Sequence, residues 1–151
     1  MTTAPTEYRI RAQSGAGGEG ATVHAAGTDI GFDATWGGAP AGLPGPAELL
    51  AGALAACLLK NLARAGSMLK FDYADASVEV TARRQDTPPK FVELTYTLHV
   101  TTDEPRRRVE LVHRNLRNYG TVYNTLAAVC DVHGDLVSAP AADPSTPKEV
   151  D

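Results

Sequence analysis

Residues 44–66 read PGPAELLAGALAACLLKNLARAG, and eleven consecutive positions within them, Leu49 to Leu59, carry no charge. Their side chains leave no face polar, and a helix apolar on every side has to be covered on every side. The run falls short of the roughly 20 residues needed to cross a bilayer, so the expected cover is protein rather than lipid. Pro46 suits the first turn, where its missing N–H would have been unpaired anyway. Glu48 adds a negative charge at the end of the helix that favours one. Gly66 is the expected terminator, with Lys60 and Arg64 close to the end that favours cations. Cys57 lies mid-helix among Ala53, Leu54, Ala56, Leu58 and Asn61.

The length of 151 residues suits one domain, expected over residues 1–138 and followed by a polar, proline-rich tail over 139–151. Met1 to Thr6 are expected to be disordered. A net charge of -4 speaks against a nucleic-acid partner or a membrane surface, both of which call for a basic protein. The first residues show no basic stretch followed by an apolar one, and two cysteines do not make a disulfide scaffold. A reducing cytoplasm is the expected setting. His24, His99, His113 and His133 are scattered, and Cys130 with His133 is the one near match to ligand spacing. No second pair completes it, so neither a metal nor a cofactor is expected.

Along the chain, Glu7 to Gln13, Ala21 to Ala26 and Thr28 to Thr35 read as three strands of a small antiparallel meander. The glycine-rich turn between the first two lacks the Lys-Ser/Thr ending of a phosphate loop. Trp36 to Gly45 is a loop leading into the helix. Ser77 to Arg83 and Phe91 to Thr101 alternate with period two around the turn QDTPPK, which predicts an antiparallel hairpin with one buried face. His99 falls on its polar face. Asp103 to Asn118 follows as a second helix, capped by Asp103, with Val109, Val112, Leu116 and Tyr119 as its apolar stripe. Its outer face carries Arg106, Arg107, Arg108, Arg114 and Arg117, read as solvated. A short helix over Thr121 to Ala127 precedes a last strand over Ala128 to Val137, with Ala128, Cys130 and Val132 on the apolar face. The sum is an α+β arrangement.

The run GPAELLAGALAAC, the hairpin segment PPKFVELTYTL and the segment NYGTVYNTL resemble the OsmC/Ohr family of osmotically inducible and organic-hydroperoxide-resistance proteins. The likeness covers most of residues 7–137. It implies antiparallel sheets around a buried central helix and an intertwined homodimer with the cysteine helices at its centre. It also implies a thiol peroxidase. In the family a cysteine on the central helix attacks an organic hydroperoxide, a second cysteine at the start of the short helix resolves the sulfenic acid, and an arginine and a glutamate support the first.

Cys57 matches the attacking cysteine. Gly120 stands where the resolving cysteine would be, and Ala47 where the glutamate would be, with Glu48 one place later as the tentative substitute. At about 100° per residue that single step turns a side chain to another face. Glu19 follows the Gly17-Gly18 pair where the arginine is expected, with Arg9 and Arg11 nearby. A free thiol is only a few per cent thiolate at neutral pH, so each lost helper matters. Two functions follow from the resemblance: a weak one-cysteine peroxidase whose sulfenic acid an external thiol resolves, and a non-catalytic dimer that binds a small hydrophobic ligand. A purely structural homodimer, with Cys57 an inert packed residue, is the third reading.

Overall fold

Glycines divide the first fifty residues into short pieces, and the computed structural model, which describes residues 3–38 and 42–141, shows what they form. The chain divides into two units, residues 1–50 and 51–151. In the first, β1 (Arg11–Gln13), β2 (Thr22–Ala25) and β3 (Thr28–Gly31) make the expected antiparallel meander in sequential order. β1 is shorter than the alternation over Glu7 to Gln13 suggests: Tyr8 and Ile10 are exposed, and nothing holds that stretch in a ladder. Gly17 and Gly18 adopt φ of 68° and 84°, the left-handed region that favours glycine. His24 faces Asp29 across the β2–β3 pair, and the two side chains are bonded.

Helix α1 (Pro46–Met68) is 23 residues long. Length and composition alone would let it cross a bilayer, more than the charge-free run suggested, yet Leu54, Leu58, Leu62 and Ala65 are buried inside the chain. It does not stop at Gly66. Leu69 N–H still bonds to the Ala65 carbonyl, and the turn is made by Lys70 at φ 53°. Gly66 serves a different need: a Cβ there would lie 3.2 Å from the Tyr73 ring and 3.3 Å from the Phe71 carbonyl. The expectation of burial on every side also fails within one chain. The buried residues follow i, i+4, i+8 and i+11, one stripe, while Gly52, Ala53, Ala56, Lys60 and Ala63 are exposed.

The second unit is built on β4 (Asp75–Gln85) and β5 (Lys90–Thr101), the expected hairpin. Leu94, Tyr96, Leu98 and Val100 are buried while His99 is exposed, as the alternation requires. Helix α2 (Arg106–Tyr119), helix α3 (Thr121–Ala127) and β6 (Asp131–Ala139) complete it. β6 lies beside β5 and parallel to it, so the sheet is mixed rather than purely antiparallel. The two helices make the crossover that a parallel pair needs. Gly134 opposes Tyr96 in that pairing, and a Cβ there would fall 2.1 Å from the Tyr96 carbonyl oxygen and 2.6 Å from its ring. Only glycine leaves the tyrosine room.

Local details of α2 differ from expectation. Pro105 occupies the N-cap, and Asp103 instead accepts a bond from Ala141 N–H at 3.3 Å. Val109, Val112 and Leu116 are buried, but Tyr119 lies outside, beneath the Arg64 guanidinium 4.8 Å from its ring centre. Arg108 does not join the solvated arginines. Its guanidinium bonds Glu104 at 2.9 Å and the carbonyls of Leu69 and Lys70 at 2.8 and 2.7 Å, tying α2 to the chain just after α1. β6 extends to Ala139, the first residue of the expected tail; residues 142–151 lie outside the described residues, as do Met1 and Thr2 of the expected N-terminal stretch.

Candidate functional site

Cys57 lies on the part of α1 that faces the junction between α2 and α3. Its side chain is half-buried and unbridged. Gly120 occupies that junction as the residue after α2 and before α3, and its N–H still bonds to the Leu116 carbonyl. A Cβ built on Gly120 would point at the Cys57 sulfur from 3.2 Å. Two cysteines joined by an S–S bond of about 2.05 Å place each Cβ roughly 3 Å from the other sulfur. The glycine therefore stands where a disulfide partner of Cys57 would stand. The same Cβ would lie 2.9 Å from the Leu116 carbonyl oxygen and 3.0 Å from the Tyr123 Cβ, so the junction is closed tightly around the missing side chain.

One turn further along α1, the Asn61 amide donates to the Cys57 carbonyl at 2.9 Å and reaches the Cys57 sulfur at 3.5 Å. Among the described residues it is the one side-chain donor to that sulfur. A further turn on, Arg64 bonds Asn115 at 3.4 Å and covers Tyr119. These contacts hold α1 along α2, with Cys57, Asn61 and Arg64 at i, i+4 and i+7 on one face. Sequence reading noted Asn61 only as a neighbour of Cys57. The signal that could have singled it out is its type, because asparagine in a helix interior is unfavourable and tends to bond local backbone.

The other candidates have local tasks. Glu48 accepts the Gly45 N–H at 3.1 Å, closing the start of α1 as the third residue of a capping arrangement. Glu19 is exposed and follows the Gly17-Gly18 turn with a carboxylate where a guanidinium was sought. Arg9 and Arg11 are both exposed, and Arg11 bonds Gln13 at 2.9 Å. Cys130 is not on the strand face. It precedes β6 and donates its thiol to the Leu126 carbonyl at 3.2 Å, and burial followed by the Asp131 charge pushes its pKa up. His133, its partner in the near match to ligand spacing, stands instead by Asp131 at 3.2 Å and Glu93 at 4.0 Å, on the exposed face of β5 and β6. Arg83 also binds Glu93, at 3.3 Å.

Behind α3 lies a polar cluster that the sequence did not announce. The Tyr96 hydroxyl bonds His113 Nε2 at 2.6 Å, and the Tyr96 and Tyr123 rings meet edge to face with centres 6.3 Å apart. Tyr123 in turn donates to the Val132 carbonyl at 3.1 Å. Burial, reinforced by the positive charge of Arg117, holds His113 below its usual pKa, and burial pushes Tyr96 well up. At neutral pH this is a neutral imidazole hydrogen-bonded to a tyrosine hydroxyl.

Residues 38–133 match the family described as OsmC-like protein. No curated protein matched the sequence. Among solved structures, the chain is similar to an OsmC-like protein from Mycoplasma pneumoniae, with 18% identity, a TM-score of 0.78 and coverage of 92% of this chain and 100% of that one. It is also similar to an organic hydroperoxide resistance protein OsmC from Legionella pneumophila, with 18% identity and a TM-score of 0.70 over 89% of this chain and 99% of that one. The organic hydroperoxide resistance protein OhrB of Bacillus subtilis superposes with a TM-score of 0.64 at 15% identity, covering 87% of this chain and 98% of the other. Fold and sequence pattern agree, and this chain belongs to the OsmC-like family of the OsmC/Ohr proteins.

Proposed function

We propose that the protein is a slow, one-cysteine thiol peroxidase that reduces organic hydroperoxides at Cys57. The observation that carries this reading is the 3.2 Å approach of a Gly120 Cβ to the Cys57 sulfur. It supports Cys57 as the attacking cysteine of the family pattern and leaves that pattern's resolving position without a sulfur. In the reaction the Cys57 thiolate attacks one peroxide oxygen, an S–O bond forms and the O–O bond breaks. Sulfur is oxidised to a sulfenic acid, and the departing alkoxide takes a proton and leaves as an alcohol. A small external thiol then displaces water to form a mixed disulfide, and a second thiol frees Cys57 and departs as the symmetrical disulfide.

The turnover is slow because charged support for the thiolate is sparse. Glu48 is engaged at its own helix start, Ala47 provides no carboxylate, and Glu19 provides no cation at the family's arginine position. A positioned charge at a reacting centre is commonly worth about 3 to 4 kcal/mol. The test follows cumene hydroperoxide consumption with a monothiol and with a dithiol. We expect rates well below about 10 per second, equal for the two reductants at equal thiol concentration, and abolished in Cys57→Ser. Consumption no faster than that of the free thiol would overturn the reading and leave the binding of a hydrophobic ligand in its place.

The same reading includes a homodimer. The exposed face of α1 that carries Gly52, Ala53, Ala56 and Ala63 beside Lys60 supports it, because small residues let another backbone approach closely. Light scattering should give twice the 15.9 kDa chain mass, and a folded monomer at micromolar concentration would contradict it.

A further inference from the structure

The helper positions of the family pattern are empty of helpers, yet Cys57 is not without a donor. Asn61 is half-buried on the Cys57 face of α1, and its amide is shared between the Cys57 carbonyl at 2.9 Å and the Cys57 sulfur at 3.5 Å. The backbone bond fixes where the amide sits. A helical carbonyl already has its own N–H partner, so the asparagine is not needed to satisfy it. What the bond does achieve is to hold an N–H donor beside the sulfur without freedom to swing away. Position i+4 is where a side chain on this helix can do so, because it stacks over residue i. A hydrogen bond to a charged acceptor is worth more than one to a neutral acceptor, and this N–H is placed to make one when the sulfur attacks.

We infer that Asn61 is a catalytic residue of the Cys57 site, its amide donating to the sulfur as thiolate and orienting it for attack. This rests on the peroxidase reading for its use, but not for its measurement. The role can be read from alkylation of Cys57 by iodoacetamide, which needs the thiolate and no hydroperoxide. Cys130 in the same molecule serves as the internal standard, since a loosened fold would speed both cysteines together.

The experiment compares wild type with Asn61→Leu, close in shape but with no donor, and Asn61→Asp, which keeps the shape and replaces the donor by an acceptor. Rates are measured by peptide mass spectrometry at pH 7 on protein shown to be folded by circular dichroism. The expected result is a roughly tenfold fall in the Cys57 rate relative to Cys130 in Asn61→Leu, the lower end of what a hydrogen bond to a charged group supplies, and a larger fall in Asn61→Asp. Should Asn61→Leu fail to fold, the aspartate variant carries the test alone. A Cys57-to-Cys130 ratio within twofold of wild type in the folded variant overturns the inference. A tenfold fall in a protein whose wild-type Cys57 does not react with hydroperoxide would instead sustain the Asn61 role and overturn the peroxidase reading.

Discussion

The two cysteines flank the same short helix and meet opposite surroundings. Cys57 faces the start of α3, with a donor N–H from Asn61 at its sulfur and the bare Cα of Gly120 opposite. Cys130 lies past the end of α3, where its own thiol is the donor, to the Leu126 carbonyl, and Asp131 is adjacent. One sulfur is placed as an acceptor of hydrogen bonds and the other as a donor. The expected difference in reactivity rests on these surroundings: burial and the Asp131 charge both raise the pKa of Cys130. A thiolate is stabilised by a donor, and it is disfavoured where its proton is already in use and a carboxylate stands near.

The largest effect expected from this contrast comes from Gly120→Cys. On mild oxidation the introduced thiol should link to Cys57 nearly completely, while wild type forms no Cys57–Cys130 bridge. Non-reducing peptide mapping distinguishes the two linkages. The reduced variant should lose about 1 to 3 kcal/mol of stability, because the new Cβ crowds the Leu116 carbonyl and Tyr123. A Cys57–Cys130 peptide in good yield from wild type would break the comparison outright, since bridging needs Cα atoms within about 7 Å.

Next in size is the alkylation of wild type itself. Cys57 should react with iodoacetamide roughly tenfold faster than Cys130 at pH 7, because burial, the Asp131 charge and the bond to the Leu126 carbonyl all hold the proton on Cys130. Equal rates would mean that the two environments differ in geometry and not in chemistry.

Much of the fold around Cys57 is legible in the sequence, and the part that is not has a common cause. The start of α1, the β4–β5 hairpin and α3 follow from periodicity and from proline placement, which are local. The resemblance of NYGTVYNTL to the family's short-helix motif implies that Gly120, sixty-three residues away (120 minus 57), faces Cys57, and the two do meet. What escaped depends on which distant element comes to lie alongside. The parallel pairing of β6 is set by the α2–α3 crossover, and Gly134 is glycine because Tyr96 lies over it. Arg108 looked like one more surface arginine, but the carbonyls after α1 happen to end beside it. Tyr119 fits the apolar stripe of α2 by spacing but lies exposed under the Arg64 guanidinium. Gly66 is a stop by residue type, but the helix passes through it, and its lack of a Cβ leaves room for Phe71 and Tyr73. Tertiary contact overrides local preference at each of these positions.

The smallest effect expected concerns the cluster behind α3, which sharpens the comparison because it should treat both cysteines alike. Burial holds His113 below its ordinary pKa of 6.5, so the unfolded chain takes up its proton first as pH falls. The stability tied to neutral His113 is fully present above about pH 6.5 and is lost as pH drops below it. Melting temperature should therefore fall by roughly a few degrees between pH 7.5 and 5.5, and less in His113→Gln, which can still hydrogen-bond Tyr96. The Cys57-to-Cys130 alkylation ratio, corrected for pH, should not change in that variant. A changed ratio would show that the Tyr96–Tyr123 contact communicates with one cysteine and not the other.

The central claim is that Cys57 is the peroxide-reactive sulfur and has no internal partner. It is tested most directly by treating reduced protein with one equivalent of cumene hydroperoxide in the presence of dimedone, with no added thiol, and mapping the adducts by mass spectrometry. The account predicts a dimedone adduct at Cys57, none at Cys130, and a sulfenic acid that persists long enough to be trapped when dimedone is added after the peroxide. Cys57 left unmodified, or consumed in a disulfide with Cys130, would contradict it.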